Sequence, residues 1–210
     1  GSGKSTIIKL LCRLYDPDHG RIDIDGVDLR RLRLADVRRR IAVLMQEPMR
    51  YDETARDNVA FGAEGDLTPE ALDRIARGAG ADEVVASLPE GWDSRLGRFF
   101  VDAGAELSVG QWQRLALARA LARGARVVLL DEPTSALDAW AEVGWPLRLR
   151  EAAGDSTIVL ITHRFTTAMH ADRIHVFDRD GRVVESGNHA ELLAADGTYA
   201  RSWRAQTGIA

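Results

Sequence analysis

The sequence predicts an α/β protein in which a mainly parallel sheet is flanked by helices and carries an all-helical insert. Continuous apolar runs, which suit buried parallel strands, occur at residues 41–45, 127–130 and 157–161. Helical patterns lie between the runs, as crossovers between parallel strands require. Residues 54–123 carry helix signals and almost no strand signals, which indicates the insert.

The composition narrows the classes of protein to which the chain can belong. Its 210 residues suffice for one α/β domain, or for a core with a small subdomain. A net charge of −4 does not indicate a surface that attracts polyanions. The single cysteine, Cys12, cannot form an internal disulfide and fits a reducing compartment. No apolar run approaches the roughly 20 residues that span a bilayer.

The first six residues, G-S-G-K-S-T, match the end of the phosphate-binding pattern G-x-x-x-x-G-K-[ST]. Glycines let successive N–H groups point at phosphate oxygens. The Lys4 ammonium can reach β- and γ-phosphates, and the Ser5 hydroxyl can ligate Mg²⁺. Residues 7–14 predict a helix whose positive end faces the anion. The alternative is a Gly/Ser turn before an amphipathic helix. Because the pattern starts before residue 1 and the chain lacks an initial Met, we expect a fragment of a longer protein.

The next elements follow from turn and periodicity signals. Pro17 ends the first helix, because proline disfavours helix continuation. Residues 21–25 alternate and precede the turn pair Asp25-Gly26, which predicts a short strand with a hairpin-like turn. Residues 35–40 predict an Arg-rich helix, and the buried strand at residues 41–45 follows it.

Capping signals define the helices of the insert. Thr54 and Thr68 are candidate N-caps, the second followed by Pro69 at the first helical position. Ser108 is the predicted N-cap of a long helix that runs through Ala122. The predicted helices of the insert cover residues 54–61, 68–78, 82–88 and 108–122.

Strands and helices alternate again in the last third of the chain. Strands are predicted at residues 127–130 and 157–161, and two more at residues 173–177 and 182–185 flank the turn Asp180-Gly181. Helices are predicted at residues 190–195 and 198–206. Pro146 should kink the helix that is expected after Asp138.

Four polar residues follow the buried strands: Gln46, Asp131, Glu132 and His163. Open parallel sheets bind ligands at the carboxyl ends of their strands. An aspartate after a strand, together with a phosphate loop, can hold a metal ion near the phosphates. Glu132 is suited to orient or deprotonate an attacking water. The alternative is that the acids only cap the strand in solvent.

In their order along the chain, these motifs resemble those of the ATP-binding subunit of an ATP-binding-cassette (ABC) transporter. Residues 107–111, L-S-V-G-Q, are similar to the family signature L-S-G-G-Q. Residues 130–138, L-D-E-P-T-S-A-L-D, are similar to its Walker B motif and D-loop. His163 stands where the family has its switch histidine, and Gln46 stands in the Q-loop. The resemblance covers essentially the whole chain.

The resemblance implies a P-loop NTPase core and a helical signature subdomain within one ABC ATPase domain, residues 1–210. Residues 1–50 and 124–210 would form the RecA-like core, and residues 51–123 the helical subdomain. ATP and Mg²⁺ are the implied cofactors, and the implied catalytic residues are Glu132 and His163. The implied nucleotide-binding residues are Gly1, Ser2, Gly3, Lys4, Ser5, Thr6 and Gln46, and the implied metal ligands are Ser5, Gln46 and Asp131.

The resemblance also implies a partner, because two such domains form a head-to-tail sandwich around two ATP molecules. The partner is a second ABC ATPase domain, in a homodimer or a heterodimer. Ser108, Val109, Gly110 and Gln111 would contact the ATP bound on the partner, and Asp138 would cross the interface. Val109 departs from the family pattern, which prefers glycine there, and places a β-branched side chain near the partner's phosphate.

Within the family, the exporter branch is most similar. Residues 54–62, 170–174 and 187–192 resemble exporter sequences. We therefore expect a six-helix transmembrane domain on the same parent chain and a location at the cytoplasmic face of the cell membrane. ATP hydrolysis would drive export of a substrate such as a peptide, a lipid or a drug.

Two other functions compete with the exporter. One is a soluble ABC-superfamily ATPase that acts on nucleic acid. Such proteins carry long coiled coils between the phosphate loop and the signature, whereas roughly 100 residues without heptads separate Lys4 from Ser108 here. We take the arginines of residues 30–40 as a solvated face and expect no nucleic-acid partner. The other is a non-catalytic nucleotide-binding module, against which Glu132 and His163 argue.

Overall fold

The computed structural model describes residues 3–97, 104–133 and 144–208. They form a mixed α/β structure, which confirms the predicted fold class. The chain divides into two compact units: one consists of Gly1–Arg31 and Ile161–Ala210, the other of Leu32–Leu160. The boundaries predicted between a RecA-like core and a helical subdomain stay a prediction.

The described helices and strands follow the predicted order. The helices are α1 (Lys4–Leu11), α2 (Leu34–Arg39), α3 (Ala55–Ala60), α4 (Pro69–Ala79), α5 (Asp82–Ala86), α6 (Val109–Ala122), α7 (Trp145–Ala153), α8 (Phe165–Ala168), α9 (His189–Ala194) and α10 (Thr198–Thr207). The strands are β1 (Asp23–Ile24), β2 (Val27–Asp28), β3 (Ile41–Leu44), β4 (Val127–Asp131), β5 (Thr157–Ile161), β6 (Ile174–Phe177) and β7 (Val183–Gly187). Short 3-10 helices occupy Leu29–Arg31 and Gly91–Asp93.

The unit Leu32–Leu160 is built on a three-stranded sheet in the order β3-β4-β5. β3 and β4 are parallel, with a register that runs from Ile41↔Val127 to Leu44↔Leu130. The central strand is buried at Val128, Leu129 and Leu130, which explains why its sequence is apolar without alternation. The parallel register brings the carboxyl ends of β3 and β4 to the same edge.

The helix α6 forms the centre of the core in this unit. It contacts α3, α4 and β3, and it buries Trp112, Leu115 and Leu117. It is apolar around much of its circumference because neighbours cover it on several sides. Residues 51–123 contain α3 to α6, one 3-10 helix and two isolated β-bridges among their described residues. The predicted N-caps Thr54, Thr68 and Ser108 each accept a hydrogen bond from a backbone N–H of the following turn.

The other unit begins with α1 and a β-hairpin. The hairpin turn is formed by Asp25 at φ 51° and Gly26 at φ 76°, which is the conformation of a type I′ turn. The predicted hairpin-like turn is therefore confirmed. Arg13 donates from Nη1 to the Leu29 carbonyl oxygen at 3.1 Å, which ties the end of α1 to the segment after the hairpin.

The C-terminal part of this unit is an antiparallel pair, β6 and β7, followed by α9 and α10. Asn188 and Glu191 form a capping box at the start of α9. Phe165 of α8 makes edge-to-face contacts with Tyr199 and Trp203 of α10. These rings hold α8 against α10 through apolar contact and ring geometry.

Some local predictions were wrong. Helix α1 covers Lys4–Leu11 instead of residues 7–14, and Arg13 already adopts φ 48°, which a helix cannot accommodate. Pro146 does not kink a helix. It lies in the first turn of α7, where its missing N–H group would have no partner within the helix. Across the described ranges, none of the helices combines the length and apolarity that crossing a membrane would need.

Candidate functional site

Asp131 and Glu132 lie at the carboxyl edge of the sheet. Leu44 pairs with Leu130, and Gln46 and Glu132 each follow this pair by two residues, so the edge carries all three polar side chains. Asp131 is 4% exposed and Glu132 is 9% exposed, whereas Gln46 is exposed. Two nearly buried acidic residues at a strand end are unusual, because burial of a charged group costs free energy.

The backbone at Glu132 adopts a left-handed conformation, with φ at 51°. Such a conformation costs a non-glycine residue roughly 1–2 kcal/mol. The buried side chain of Gln113 in α6 donates from Nε2 to the Glu132 carbonyl oxygen at 2.9 Å. This bond ties the strained turn to the helix that carries the signature residues. Strained backbone of this kind concentrates at functional sites.

The signature residues begin α6. Ser108 and Gln111 form a capping box: the Gln111 N–H donates to Ser108 Oγ at 3.2 Å, and the Ser108 N–H donates to Gln111 Oε1 at 2.8 Å. Ser108 is thus an N-cap, as predicted. Val109 occupies the first helical position with 62% of its surface exposed, and Gly110 follows it within the helix. A contact between these residues and a partner's ATP stays a prediction.

An apolar groove of about 320 Å³ lies beside the end of β3, close to Gln46. Its exposed apolar side chains are Met45, Met49 and Phe61, with Tyr51 stacked on Phe61. We call it the β3 groove. Its wall also includes Ala116 and Arg119 of α6, together with residues 41–45, Glu47 and Pro48.

The phosphate-loop residues lie in the other compact unit. Gly3 is the N-cap of α1 at φ 77°, which favours glycine, and a Cβ there would meet nothing within 4 Å. Gly3 has no side chain that could cap this helix, and the first N–H groups of a helix have no partner within the helix, which suits them to an anion. Thr6 is exposed in the first turn. Gly1, Ser2 and the side chains of Lys4 and Ser5 lie outside the described residues.

His163 is exposed and lies in the turn after β5, which a side chain of α10 contacts through hydrogen bonds. Gln206 of α10 donates from Nε2 to the His163 carbonyl oxygen at 3.2 Å, and its Oε1 accepts from the Phe165 N–H at 2.9 Å. Inside the turn, the Arg164 N–H donates to Thr162 Oγ1 at 3.0 Å. Side-chain hydrogen bonds therefore hold the backbone from the His163 carbonyl group to the Phe165 N–H group.

The predicted site residues thus fall into three groups. Gln46, Asp131, Glu132 and the signature residues belong to the unit Leu32–Leu160, where Gln46, Asp131 and Glu132 share one sheet edge. Gly3, Thr6 and His163 belong to the other unit. Asp138, like Gly1 and Ser2, lies outside the described residues.

The described residues contain no group of three or more His, Cys, Asp and Glu side chains that could hold a metal ion. The predicted magnesium set is of another kind, because it combines one carboxylate, Asp131, with the amide oxygen of Gln46 and the hydroxyl of Ser5. All three are oxygen ligands, which Mg²⁺ prefers, and the ion often keeps several of its waters. The donor chemistry of these residues fits magnesium.

Sequence reasoning missed three residues that position the site. Gln113 and Arg119 lie in the helix that follows the signature. The sequence did not indicate their hydrogen bonds to Glu132 and Asn58, which the structure shows. Gln206 lies in the last helix, more than 40 residues after His163, and no local pattern pointed to it. Only the folded chain brings these side chains to the turns that they hold.

The chain belongs to the ABC transporter family, whose model matches residues 1–135. It is 44% identical, over 99% of its length, to an ATP-dependent lipid A-core flippase of Vibrio cholerae, and covers 35% of that protein. It is 43% identical, over 95% of its length, to the ABC multidrug transporter MDR1 of Cryptococcus neoformans, and covers 14% of that protein.

Among solved structures, a bacterial Atm1-family ABC exporter with ATP bound matches with a TM-score of 0.86 and 37% identity. The match covers 98% of this chain and 35% of that one. The predicted family and the predicted P-loop fold are confirmed. The chain spans about a third of the length of the bacterial relatives it matches. Membership of this family implies that the chain binds a nucleotide.

Proposed function

We propose that the chain is the ATP-binding and ATP-hydrolysing domain of an ABC exporter. One observation carries the catalytic part: Glu132 is nearly buried at the sheet edge, beside Asp131, on a strained turn held by Gln113. A carboxylate that only capped a strand in solvent would need neither burial nor a strained backbone. The similarity to a flippase, a multidrug transporter and an exporter supports the transport part.

Binding rests on the start of α1 and on the sheet edge. Lys4 and the N–H groups around Gly3 would hold phosphate oxygens, with Gly1, Ser2 and Thr6 completing the loop. Ser5, Gln46 and Asp131 would supply the oxygen ligands of Mg²⁺. When bound, MgATP would supply the phosphoryl group, and its Mg²⁺ ion would neutralise the charge that develops on that group during transfer.

Hydrolysis rests on two residues with separate tasks. Glu132 would orient a water molecule and accept its proton, because a carboxylate held away from bulk solvent is a suitable general base. His163 would donate a hydrogen bond that steadies the reacting group and the water. The hydrogen bonds to the backbone directly after His163 support such a task, since they restrict the direction from which its ring extends.

A second ABC ATPase domain would complete the site. The exposed start of α6 leaves Ser108, Val109, Gly110 and Gln111 near the surface, where the helix N-terminus could meet an anion held by the other domain. We propose that Asp138 crosses the same interface. The capping box does not conflict with this role, because a hydroxyl that accepts one hydrogen bond can still donate another.

A transmembrane domain on the same parent chain would be the second partner, which places this domain at the cytoplasmic face of the cell membrane. The bacterial flippase is about three times as long as the chain, so its remaining length is available for that domain. The β3 groove, with exposed Met45, Met49 and Phe61, would receive a cytoplasmic segment of it. Gln46 lies beside the groove and would connect this contact with the magnesium site.

Residues 1–50 and 124–210 would form the RecA-like core of this domain, and residues 51–123 its helical subdomain. The cargo would be a peptide, a lipid or a drug, and neither sheet edge nor groove distinguishes among them. The similarity to a flippase and to a multidrug transporter favours the exporter over the alternative function, a soluble ATPase that acts on nucleic acid.

The test compares two variants of the full-length protein that contains this chain. Glu132→Gln should reduce steady-state phosphate release by roughly 100-fold or more while binding of ATP stays within about twofold of the wild type. Lys4→Ala should instead weaken binding of a fluorescent ATP analogue, because the lysine contacts phosphate in both ground and transition states.

The two variants separate binding from chemistry. Normal phosphate release by the Glu132→Gln protein would remove Glu132 from the catalytic role. Unchanged affinity in the Lys4→Ala protein would mean that residues 1–6 do not form the phosphate site. ATP hydrolysis that depends on added DNA or RNA, without dependence on a membrane domain, would favour the alternative function.

A further inference from the structure

The side chain of Gln206 bridges two backbone groups of the His163 turn. Its Nε2 donates to the His163 carbonyl oxygen at 3.2 Å, and its Oε1 accepts from the Phe165 N–H at 2.9 Å. These two contacts define the orientation of the amide, because one backbone group is an acceptor and the other a donor. An amide side chain is uncharged and carries a donor and an acceptor side by side in one plane, which matches these two backbone groups.

The helix that carries Gln206 is itself anchored at several points. At its start, the Glu185 carboxylate accepts from the N–H groups of Thr198 and Tyr199. In its first turn, the side chain of Tyr199 is buried and shares a hydrogen bond of 2.9 Å with His189. The ring of His189 also contacts the ring of Trp203 at 4.6 Å between centroids.

The anchored helix is in contact with the His163 turn twice. Phe165, two residues after His163, packs edge-to-face against Tyr199 at 5.2 Å and against Trp203 at 6.2 Å. Gln206 adds the polar contact one helical turn beyond Trp203. The apolar contact fixes the start of α8, and the amide fixes the two peptide groups on either side of Arg164, directly after the histidine.

We propose that Gln206 is a positioning residue for ATP hydrolysis, acting through the direction in which it holds His163. This inference rests on the proposed function of His163. A histidine that must donate a hydrogen bond to a reacting group loses much of its effect when it is misplaced by a fraction of an ångström. Gln206 touches neither nucleotide nor water in this scheme, and its effect passes through the backbone of residues 163–165.

The first measurement needs no nucleotide. In the full-length protein, Gln206→Ala should speed hydrogen exchange at the Phe165 N–H by roughly fivefold, the factor expected for one lost hydrogen bond. Thr207→Ala is the matched control. Its hydroxyl donates to the Trp203 carbonyl oxygen within the same helix turn and does not reach the histidine turn in the described contacts. The control should leave exchange at Phe165 unchanged.

The second measurement is steady-state phosphate release. Gln206→Ala should lower kcat by roughly fivefold to tenfold and leave the KM for ATP within about twofold. Gln206→Glu should fall between the wild type and Gln206→Ala, because a carboxylate still accepts from Phe165 but cannot donate to the His163 carbonyl. Because glutamate has nearly the same shape as glutamine, Gln206→Glu should disturb the fold less than Gln206→Ala. It therefore keeps the test valid if the alanine variant is unstable.

A double variant decides whether the effect passes through His163. In a His163→Ala background, Gln206→Ala should cause no further loss of kcat, since the group that it positions is gone. An equal loss in both backgrounds, or unchanged exchange and kcat in Gln206→Ala, overturns the proposal. If His163→Ala itself leaves phosphate release unchanged, the proposed function of His163 fails, and the exchange measurement still reports whether Gln206 fixes the turn.

Discussion

The guanidinium of Arg119 in α6 forms two hydrogen bonds with Asn58 of α3. Nε donates to the Asn58 carbonyl oxygen at 2.7 Å, and Nη2 donates to its side-chain oxygen at 2.8 Å. Nη1 donates to the Met49 carbonyl oxygen at 2.9 Å, and the guanidinium lies 4.6 Å from the ring centroid of Tyr51. Arg119 thereby ties the segment after β3, which lines the β3 groove, to the helix that begins with the signature.

In each described hydrogen bond of Arg119, the acceptor is an uncharged carbonyl or amide oxygen. Burial lowers the pKa of its guanidinium from the ordinary value, although the side chain stays charged at neutral pH. Asn58 is fully buried, and its Nδ2 donates to the Tyr51 carbonyl oxygen at 2.9 Å. The pair therefore supplies donors to the backbone oxygens of Met49, Tyr51 and Asn58.

Arg119→Ala should lower the free energy of unfolding by about 2–4 kcal/mol, because both oxygens of the buried Asn58 lose a donor, as does the Met49 carbonyl oxygen. Arg119→Lys should recover only part of this loss, since an ammonium cannot reproduce the planar fork. Urea denaturation of the chain measures both. Arg56→Ala is the control: Arg56 forms an exposed ion pair with Asp93 at 3.3 Å, and its loss should change stability by less than about 1 kcal/mol. Equal effects of the two alanine variants would contradict this assignment.

Gly78 permits the close contact between α4 and α7. A Cβ at Gly78 would overlap the Cβ of Ala152 and lie 3.3 Å from the Arg148 carbonyl oxygen. Alanine favours a helix over glycine by about 1 kcal/mol. We nevertheless expect Gly78→Ala to destabilise the protein by about 1–3 kcal/mol, because the helices must move apart.

The double variant Gly78→Ala/Ala152→Gly provides the control. It removes the opposing Cβ and should recover most of the lost stability, so the two substitutions should be strongly non-additive in thermal unfolding. A Gly78→Ala protein that melts above the wild type would show that helix propensity outweighs the contact.

Glu185 should make stability depend on acid pH. Burial raises the pKa of its carboxyl group, but hydrogen bonds from the Tyr199 and Thr198 N–H groups and the charge of Arg201 together outweigh burial, and the net pKa is lowered. A group with a lower pKa in the folded state stabilises the fold above its unfolded pKa of about 4.3. That contribution is lost as pH falls through the folded pKa.

The variant for this prediction is Glu185→Gln, which keeps an oxygen acceptor and removes the charge. The stability difference between wild type and variant should be largest near neutral pH and shrink below about pH 4. Urea unfolding midpoints at a series of pH values measure it. A difference that stays constant from neutral to acid pH would show that the charge of Glu185 does not stabilise the start of α10.

The sequence by itself determined the fold class, the family and most of the element order. Apolar runs without alternation identified β3, β4 and β5 as buried parallel strands, and hydroxyl residues before helical patterns identified the N-caps Thr54, Thr68 and Ser108. These signals are local, because they depend on side-chain periodicity and on hydrogen bonds within a single turn. The candidate site residues were also read from local motifs.

The tertiary structure decided how the strained and exposed turns of the site are held. Glu132 is fixed by Gln113, His163 by Gln206, and the segment after Gln46 by Arg119, each across many residues of sequence. It also placed the end of α1 and the position of Pro146, which periodicity misjudged. Hydrogen bonds between distant residues leave no periodic trace in a sequence, since any polar residue at a suitable position could make them. Their identity emerges only when folding brings donor and acceptor within about 3 Å.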